Sequence, residues 1–483
     1  MPAVVSTIGS GRGKDGSMHS ESGASRQLTL GLAMTGGMLL CCRIACAGLW
    51  VTGYYPAYRQ SYLPPAKIDF TIVTHLIHFS VEPNSDGSLN TSGNGITPAY
   101  SADLISHAHA AGRKVILCVG GADTEAGFQG ATTSANLATF IGNLTNFTAT
   151  YGYDGIDIDW EPLPASDATQ FTNLVNGLRS ALNGFSQHKL LTVAAGAYPP
   201  YGDPPGAQYA MFAALQNQFD QINVMTYDLA GPYPGWVTWF NAPIYDGGYH
   251  FPSSGGLIPS AAGAITNFIS NGVASAKLGA GIAFYGDIWS GGTGTPTGGA
   301  SLPRQSWSNV PSLTSVAYFD LMATYYQSNL YHWDTAAQAA YLSIDKAAST
   351  NDEFISYDDE HTCQAKVSYA RNRHLGGVMI WELGQGYRPT QPADQRDSLV
   401  QAIKQALATP GVSAIRRGGA DIQLSFTSAP LALYRILWTS NASLSAWNTL
   451  TNNVSGSGGT LQITDSGAIT SQPQRFYRVQ TPP

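Results

Sequence analysis

From about residue 48 to residue 407 the chain repeats one pattern: a short apolar run rich in Val, Ile, Tyr and Phe, followed by a longer stretch whose apolar residues lie three and four apart. Eight such runs are present: Leu49 to Tyr54, His75 to Ser80, Lys114 to Gly120, Gly155 to Trp160, Leu190 to Ala195, Gln221 to Thr226, Leu278 to Ala283 and Gly376 to Ile380. The stretches between them, such as Ala102 to Ala111, Ala135 to Tyr151, Asp167 to Leu182, Ala207 to Phe219 and Ala261 to Ile269, have the spacing of amphipathic helices. Strands that are apolar throughout are buried on both faces, and intervening helices cover those faces, so the alternation predicts a parallel sheet. Eight repeats in roughly 360 residues predict an α/β fold of the closed (β/α)8 TIM-barrel type, with its chemistry at the strand C-termini. An open doubly wound sheet fits less well, since no G-x-G-x-x-G turn follows the first run.

The seventh connection departs from the repeat. About 70 residues separate Tyr285 from Tyr357, beginning with a Gly, Thr and Ser stretch from Ser290 to Gly299, and an insertion of this size (about 287–355) at a barrel top shapes a cleft. At the other end, Arg26 precedes an apolar run from Leu28 to Cys42 and then Ala45-Cys46-Ala47, the pattern of a cleaved export signal over residues 1–47. The run is short against the roughly 20 residues of a spanning helix. Secretion, with no membrane attachment after cleavage, is the expectation. Residues 48–408 are then the barrel and 409–421 a linker. Residues 422–483 form a small β-sandwich-like domain, from alternating runs at Gln423 to Phe426, Tyr434 to Trp438, Thr460 to Ile463 and Phe476 to Val479. Carbohydrate binding and a spacer, adhesion or sorting role are the alternatives for that tail.

Charged residues make up 11% of the chain and the net charge is -7, so no basic face is available and nucleic acid is excluded as a partner. Three of the 5 cysteines lie in the leader, leaving Cys118 and Cys363, from which no disulfide framework follows. No His/Cys cluster has ligand spacing, and neither a metal nor a cofactor is expected. Oligomeric state is not legible.

The stretch that carries chemistry is Tyr153-Asp154-Gly155-Ile156-Asp157-Ile158-Asp159-Trp160-Glu161. Strand side chains alternate, so Asp157, Asp159 and Glu161 share one face at intervals of roughly 7 Å. On a barrel strand that face is the interior. Three carboxyls in a row there lose solvation and repel one another, so one or more keeps a proton near neutrality. A proton held on the outermost, Glu161, is what a general acid requires. A solvated acidic edge or a carboxylate metal site are the bland alternatives. Ile156 and Ile158 fill the opposite face, which disfavours an exposed edge, and no further ligand cluster is in view.

Asp154, Asp157, Asp159 and Glu161 closely resemble the D-x-x-D-x-D-x-E signature of glycoside hydrolase family 18. Other marks agree in order: Gly53-Tyr54-Tyr55, His78-Phe79-Ser80, Gly120-Gly121, Met225-Thr226-Tyr227-Asp228, Asn241-Ala242-Pro243, Tyr285-Gly286 and Gly377-Val378-Met379-Ile380-Trp381-Glu382. The resemblance covers roughly residues 49–407. It implies a chitinase that hydrolyses β-1,4-linked N-acetylglucosamine in chitin or chitooligosaccharides, with retention, the substrate's own N-acetyl group acting as nucleophile. It further implies Glu161 as general acid and base, Asp159 orienting the acetamido N–H, Asp157 sharing a proton with Asp159, and Tyr227 bonding the acetamido carbonyl. By the same resemblance Asp228 contacts the sugar, Trp381 floors the subsite, and Tyr54, Phe79, Met225 and Tyr285 line it. Asp154 lies off the alternation and has a structural role. Trp236, Trp239 and Trp289 are candidate cleft platforms, Trp236 foremost.

Two positions depart from the family. Cys118 stands where a serine is usual, which puts in doubt the support of the inner aspartates, and Asp287 stands where many relatives carry arginine. Alternative readings keep the barrel: an endo-β-N-acetylglucosaminidase acting on N-glycan cores or peptidoglycan, and a non-catalytic chitin-binding lectin. The lectin reading is opposed by Glu161, the acid such lectins typically lose.

Overall fold

The computed structural model describes residues 3–5, 49–204, 206–393, 395–408, 410, 412–428, 433–440, 446–468 and 475–480. They fall into two compact units, one holding the described residues of 49–408 and one holding those of 3–5, 410–428 and 433–480.

The larger unit is a closed parallel barrel. Its eight strands are Trp50–Pro56, His75–Pro83, Lys114–Gly121, Gly155–Trp160, Leu190–Gly196, Gln221–Met225, Leu278–Ala283 and Gly377–Trp381, each hydrogen-bonded to the next in chain order. The eighth strand pairs with the first, Gly377 opposite Trp50 and Ile380 opposite Gly53, and the ring closes. Closure leaves these strands without free edges and gives every residue an inside or an outside. The outside residues Ile156, Ile158 and Trp160 join Val115, Leu117, Leu191 and Val193 in a core shared with the helices. A second core fills the barrel itself, with Tyr54, Ile77, Ile116, Cys118, Ala194 and Met379.

The helices match the 3.6-residue spacing of the sequence, including Pro98–Ala110, Leu137–Tyr151, Ala168–Leu182, Ala261–Ser270 and Ser398–Leu407. Pro98–Ala110 begins at Thr97, whose side chain accepts from the Tyr100 amide, and Leu137–Tyr151 ends at Gly152 in the left-handed region. The long seventh connection is folded rather than loose. It forms a five-stranded antiparallel sheet in the order Ser312–Ala317, Tyr285–Ser290, Glu353–Tyr357, Ala339–Ile344, Tyr331–Asp334.

Over its described residues the smaller unit is built mainly of β-strands. One sheet runs Val412–Gly418, Asp421–Thr427, Thr460–Asp465, and the other runs Ala3–Val5, Phe476–Gln480, Leu433–Thr439, Asn448–Ser455. Phe426 and Tyr434, one from each sheet, meet edge to face at 5.4 Å. The linker expected at 409–421 is not a linker over its described length. Val412–Gly418 is a strand paired with Asp421–Thr427, and Arg416 and Arg417 masked it, because an edge strand draws its bonds from backbone and needs no apolar side chains. Ala3–Val5 pairs with Tyr477–Val479 although the sequence assigns it to the leader, and residues 1–2 and 6–47, the rest of that leader, lie outside the described residues. Among the described residues no helix is long and apolar enough to cross a membrane.

Candidate active site

The fourth strand supplies the acids. Its alternation sends Asp157 and Asp159 into the barrel, 0% and 2% exposed, while Ile156 and Ile158 face the helices. Register sets their neighbours: Cys118 lies opposite Asp157 on one side and Thr192 on the other, and Gly120 lies opposite Asp159. At Gly120 a β-carbon would stand 2.1 Å from the Asp159 carbonyl oxygen, and φ is +109°, so only glycine lets the third strand approach the acids here.

Asp157 is held by neutral donors. Tyr54 Oη donates to Oδ2 at 2.8 Å, Thr192 Oγ1 donates to Oδ1 at 2.5 Å, and the Cys118 thiol donates as well. Burial pushes its carboxyl up to about 6, these hydrogen bonds opposing the rise. Asp159 is raised well above its ordinary value, by burial first and then by Glu161 and Asp157 on either side, and its Oδ1 is buried without a hydrogen-bond partner among the described residues. Burial also lifts Glu161 to about 7, with Asp228 and Asp123 adding to the rise and a hydrogen bond with Asp159 opposing it. The row of acids therefore carries protons near neutrality.

Above the acids opens a cavity of about 560 Å³. Glu161, Asp159, Tyr227, Asp228, Met225, Tyr54, Phe79 and Trp381 all line it. The Trp381 ring meets Phe79 edge-on at 4.9 Å and Tyr54 at 5.5 Å, so the floor is braced from two strands. Peptide bonds Phe79–Ser80, Glu161–Pro162 and Trp381–Glu382 are cis. Among the described residues the only hydrogen-bond partner of the Tyr227 hydroxyl is Met379 Sδ at 3.6 Å, a weak acceptor that leaves the hydroxyl available for a ligand. Burial, then Glu161 and Asp159, hold that phenol well above its ordinary range, so it remains a donor.

Three expected residues sit off the cavity wall. Asp157 lies beneath it. Tyr285 lies behind it, its hydroxyl donating to Asp228 Oδ1 at 2.5 Å and its ring packing on Tyr227 at 5.9 Å. Trp236 is not part of the wall. It packs between Tyr233 and Phe251, at 5.1 and 4.7 Å, because the loop after the sixth strand folds onto its own aromatic residues. Trp239 and Trp289 are likewise no platforms, being fully buried in the core of the insertion. Asp154 knits the barrel bottom, accepting from Lys114 Nζ, His109 Nε2 and the Val115 amide. Asp287 is buried with Ser315 Oγ donating to it at 2.9 Å, and burial, then Asp228, raise it to about 7.

The sequence reading missed Thr192, whose signal was its inward position on the fifth strand beside Asp157. It also missed Tyr58, Asn94 and Tyr198, which line the cavity from the segments between strands and helices, and Glu82 near the end of the second strand. Arg59, whose Nε faces Glu382 at 3.3 Å, links the loop after strand one to the residue following Trp381. Loop residues carry no periodicity, so no pattern marks them.

A closed barrel with a strand-end acid above buried carboxyls defines a glycoside hydrolase. The chain belongs to the glycosyl hydrolases family 18, whose model matches residues 51–386. It is 30% identical over 375 residues to Chitinase A1 of Niallia circulans, covering 71% of this chain and 49% of that protein, and so spans about half that relative's length. With the class V chitinase of Arabidopsis thaliana it shares 27% over 400 residues, 79% of this chain and 96% of the other. Among solved structures, the Group IV chitinase of Ostrinia furnacalis in complex with allosamidin shares the fold, with a TM-score of 0.63 at 22% identity, covering 74% of this chain and 98% of that one.

Proposed function

We propose that the protein is a chitinase that hydrolyses β-1,4-linked N-acetylglucosamine polymers and oligomers with retention, through the substrate's N-acetyl group. The observation that carries this reading is the column Asp157, Asp159, Glu161 with Tyr227 and Trp381 around a single cavity. Among the described residues the carboxyls elsewhere on the wall are engaged, Asp228 by the Tyr285 hydroxyl and Glu82 by the Asn90 and Asn94 side-chain amides, and Asp157 lies below the wall, which supports the substrate's own N-acetyl group as nucleophile.

In this mechanism the sugar to be cleaved rests on Trp381, its acetamido N–H donating to Asp159 Oδ1 and its carbonyl oxygen accepting from Tyr227. That oxygen attacks the anomeric carbon as the glycosidic bond breaks, and Glu161 gives its proton to the departing oxygen. The oxazolinium ion so formed carries a positive charge that the ionised Asp157–Asp159 pair offsets. Water then adds to the anomeric carbon, Glu161 takes back a proton, and the opening ring restores the acetamide. Export belongs to the same reading: residues 1–47 act as leader, and N-terminal sequencing of the secreted chain checks this.

The test compares reducing sugar released from colloidal chitin with that from a glycoprotein and from peptidoglycan. Activity confined to the glycoprotein or to peptidoglycan assigns a different β-N-acetylglucosaminidase, and retained ligand binding with no turnover on any of them assigns a lectin.

A further inference from the structure

Asp228, on the cavity wall, has a backbone that must be held in place. Its φ is +55°, in the left-handed region, a conformation that costs energy for a residue with a β-carbon. The Asp228 amide N–H donates to Asn241 Oδ1 at 2.8 Å, and the next amide, that of Leu229, donates to the Asn241 carbonyl at 2.9 Å. Asn241, the first residue of Asn241-Ala242-Pro243, thus clasps the strained position by its side chain and its backbone together.

Asn241 is wholly buried, and among the described residues its Nδ2 has no hydrogen-bond partner. Burying an amide with its donor unpaired is a net cost to folding that an apolar side chain of similar shape avoids. What the side chain gives in return is the bond from the Asp228 N–H. That bond also fixes the orientation of the amide, since the opposite flip sets two donors face to face.

The clasp is anchored in the long seventh connection. The Asn241 N–H donates to Ser356 Oγ at 2.9 Å, and Ser356, itself buried, lies on Glu353–Tyr357 opposite Asp287. The strand paired with it, Tyr285–Ser290, supplies the Tyr285 hydroxyl that holds the Asp228 carboxylate. Two neighbouring strands of the insertion therefore fix one wall residue, one through its carboxylate and the other, by way of Asn241, through its backbone.

The titratable groups around the Asp228 carboxylate are Glu161, Tyr227, Tyr285 and Asp287. Its negative charge helps to keep the proton on Glu161. We propose that Asn241 is a positioning residue for the reaction, holding Asp228 in its left-handed conformation so that the carboxylate keeps its place beside Glu161 and the sugar. This rests on the chitinase reading and deepens it, because it gives the insertion a part in the chemistry.

The test follows the Glu161 carboxyl by NMR titration in the full chain without ligand, and measures kcat and KM on chitohexaose alongside. Asn241→Ala should move the Glu161 midpoint down by several tenths of a pH unit, because Asp228 no longer stands fixed beside it. It should also lower kcat about tenfold, with the larger part of the loss in kcat rather than in KM. Ser356→Ala, which leaves Asn241 itself intact, should shift the midpoint the same way by less, and guards against a folding failure in the first variant. In an Asp228→Asn background, where no charge is left to position, Asn241→Ala should add no further shift. An unmoved midpoint in folded Asn241→Ala protein, or an equal shift in the Asp228→Asn background, overturns the proposal. The chitinase reading fails separately, if the unsubstituted chain releases no sugar from chitohexaose; the Glu161 titration then still decides whether Asn241 places Asp228.

Discussion

Tyr54 on the first barrel strand donates its hydroxyl proton to Asp157 on the fourth, at 2.8 Å across the barrel interior. Among the described residues no cation faces Asp157, so this bond and those from Thr192 and the Cys118 thiol are what stabilise its charged form against burial. Tyr54→Phe should let Asp157 titrate higher and move the acid limb of kcat/KM upward by several tenths of a pH unit, at a cost of about 1 kcal/mol in stability. A pH–rate profile with an unmoved acid limb would refute the link between Asp157 and that limb.

Glu161 sets the other limb. With its proton held up to about pH 7, activity should fall as pH rises through that value. Glu161→Gln should lower kcat by roughly 10³-fold or more while chitooligosaccharide binding persists, because the amide cannot donate that proton. Wild-type turnover in the variant would remove Glu161 from the chemistry.

The same carboxyl affects folding, with a definite sign. Its folded value of about 7 exceeds the ordinary value of 4.5, so the folded state binds the proton more tightly than the unfolded one. Its contribution is fully present below about pH 4 and is lost as pH rises through 7. Glu161→Gln should therefore gain stability relative to the parent at pH 8, on the order of 1–2 kcal/mol, and gain nothing at pH 4. Chemical denaturation at the two pH values measures this, and an equal effect at both would contradict it.

The barrel was legible because its signals are local and repeated. Each strand is a continuous apolar run, each helix has 3.6-residue spacing, and Asp157, Asp159 and Glu161 share a face by alternation alone. What escaped was set by tertiary contact. Thr192 becomes a donor to Asp157 only through strand register, and Trp236 left the cavity wall because Tyr233 and Phe251 enclose it. Asn448–Ser455, with its polar Asn and Thr residues, forms a strand only because Leu433–Thr439 lies beside it.

Cys118 stands where the family usually has serine, and its thiol is the weakest of the three donors to Asp157. Cys118→Ser should strengthen that bond, lower the acid limb by a few tenths of a pH unit, and leave the alkaline limb in place. Parallel pH profiles test it, and a shift in the opposite direction would mean the hydroxyl does not reach Asp157.

Asp154 separates motif membership from catalysis. Burial pushes its carboxyl up, yet hydrogen bonds from Lys114 Nζ, the Val115 amide and His109 Nε2 outweigh this and hold it below the ordinary value. It ties the third strand and the helix before it to the fourth strand, at the end of the barrel away from the cavity. Because its folded value is depressed, its stabilisation is present above the unfolded value and is lost as pH falls through the folded one. Asp154→Ala leaves the Val115 amide without its partner and should cost about 1–3 kcal/mol at pH 7, with much less lost near pH 2. Lys114 is half exposed and adds little to that figure. On folded protein, kcat and KM for a short oligomer should stay within about twofold of the parent, since no cavity residue changes. A loss of kcat as large as that from Glu161→Gln, at unchanged stability, would place Asp154 in the chemistry instead.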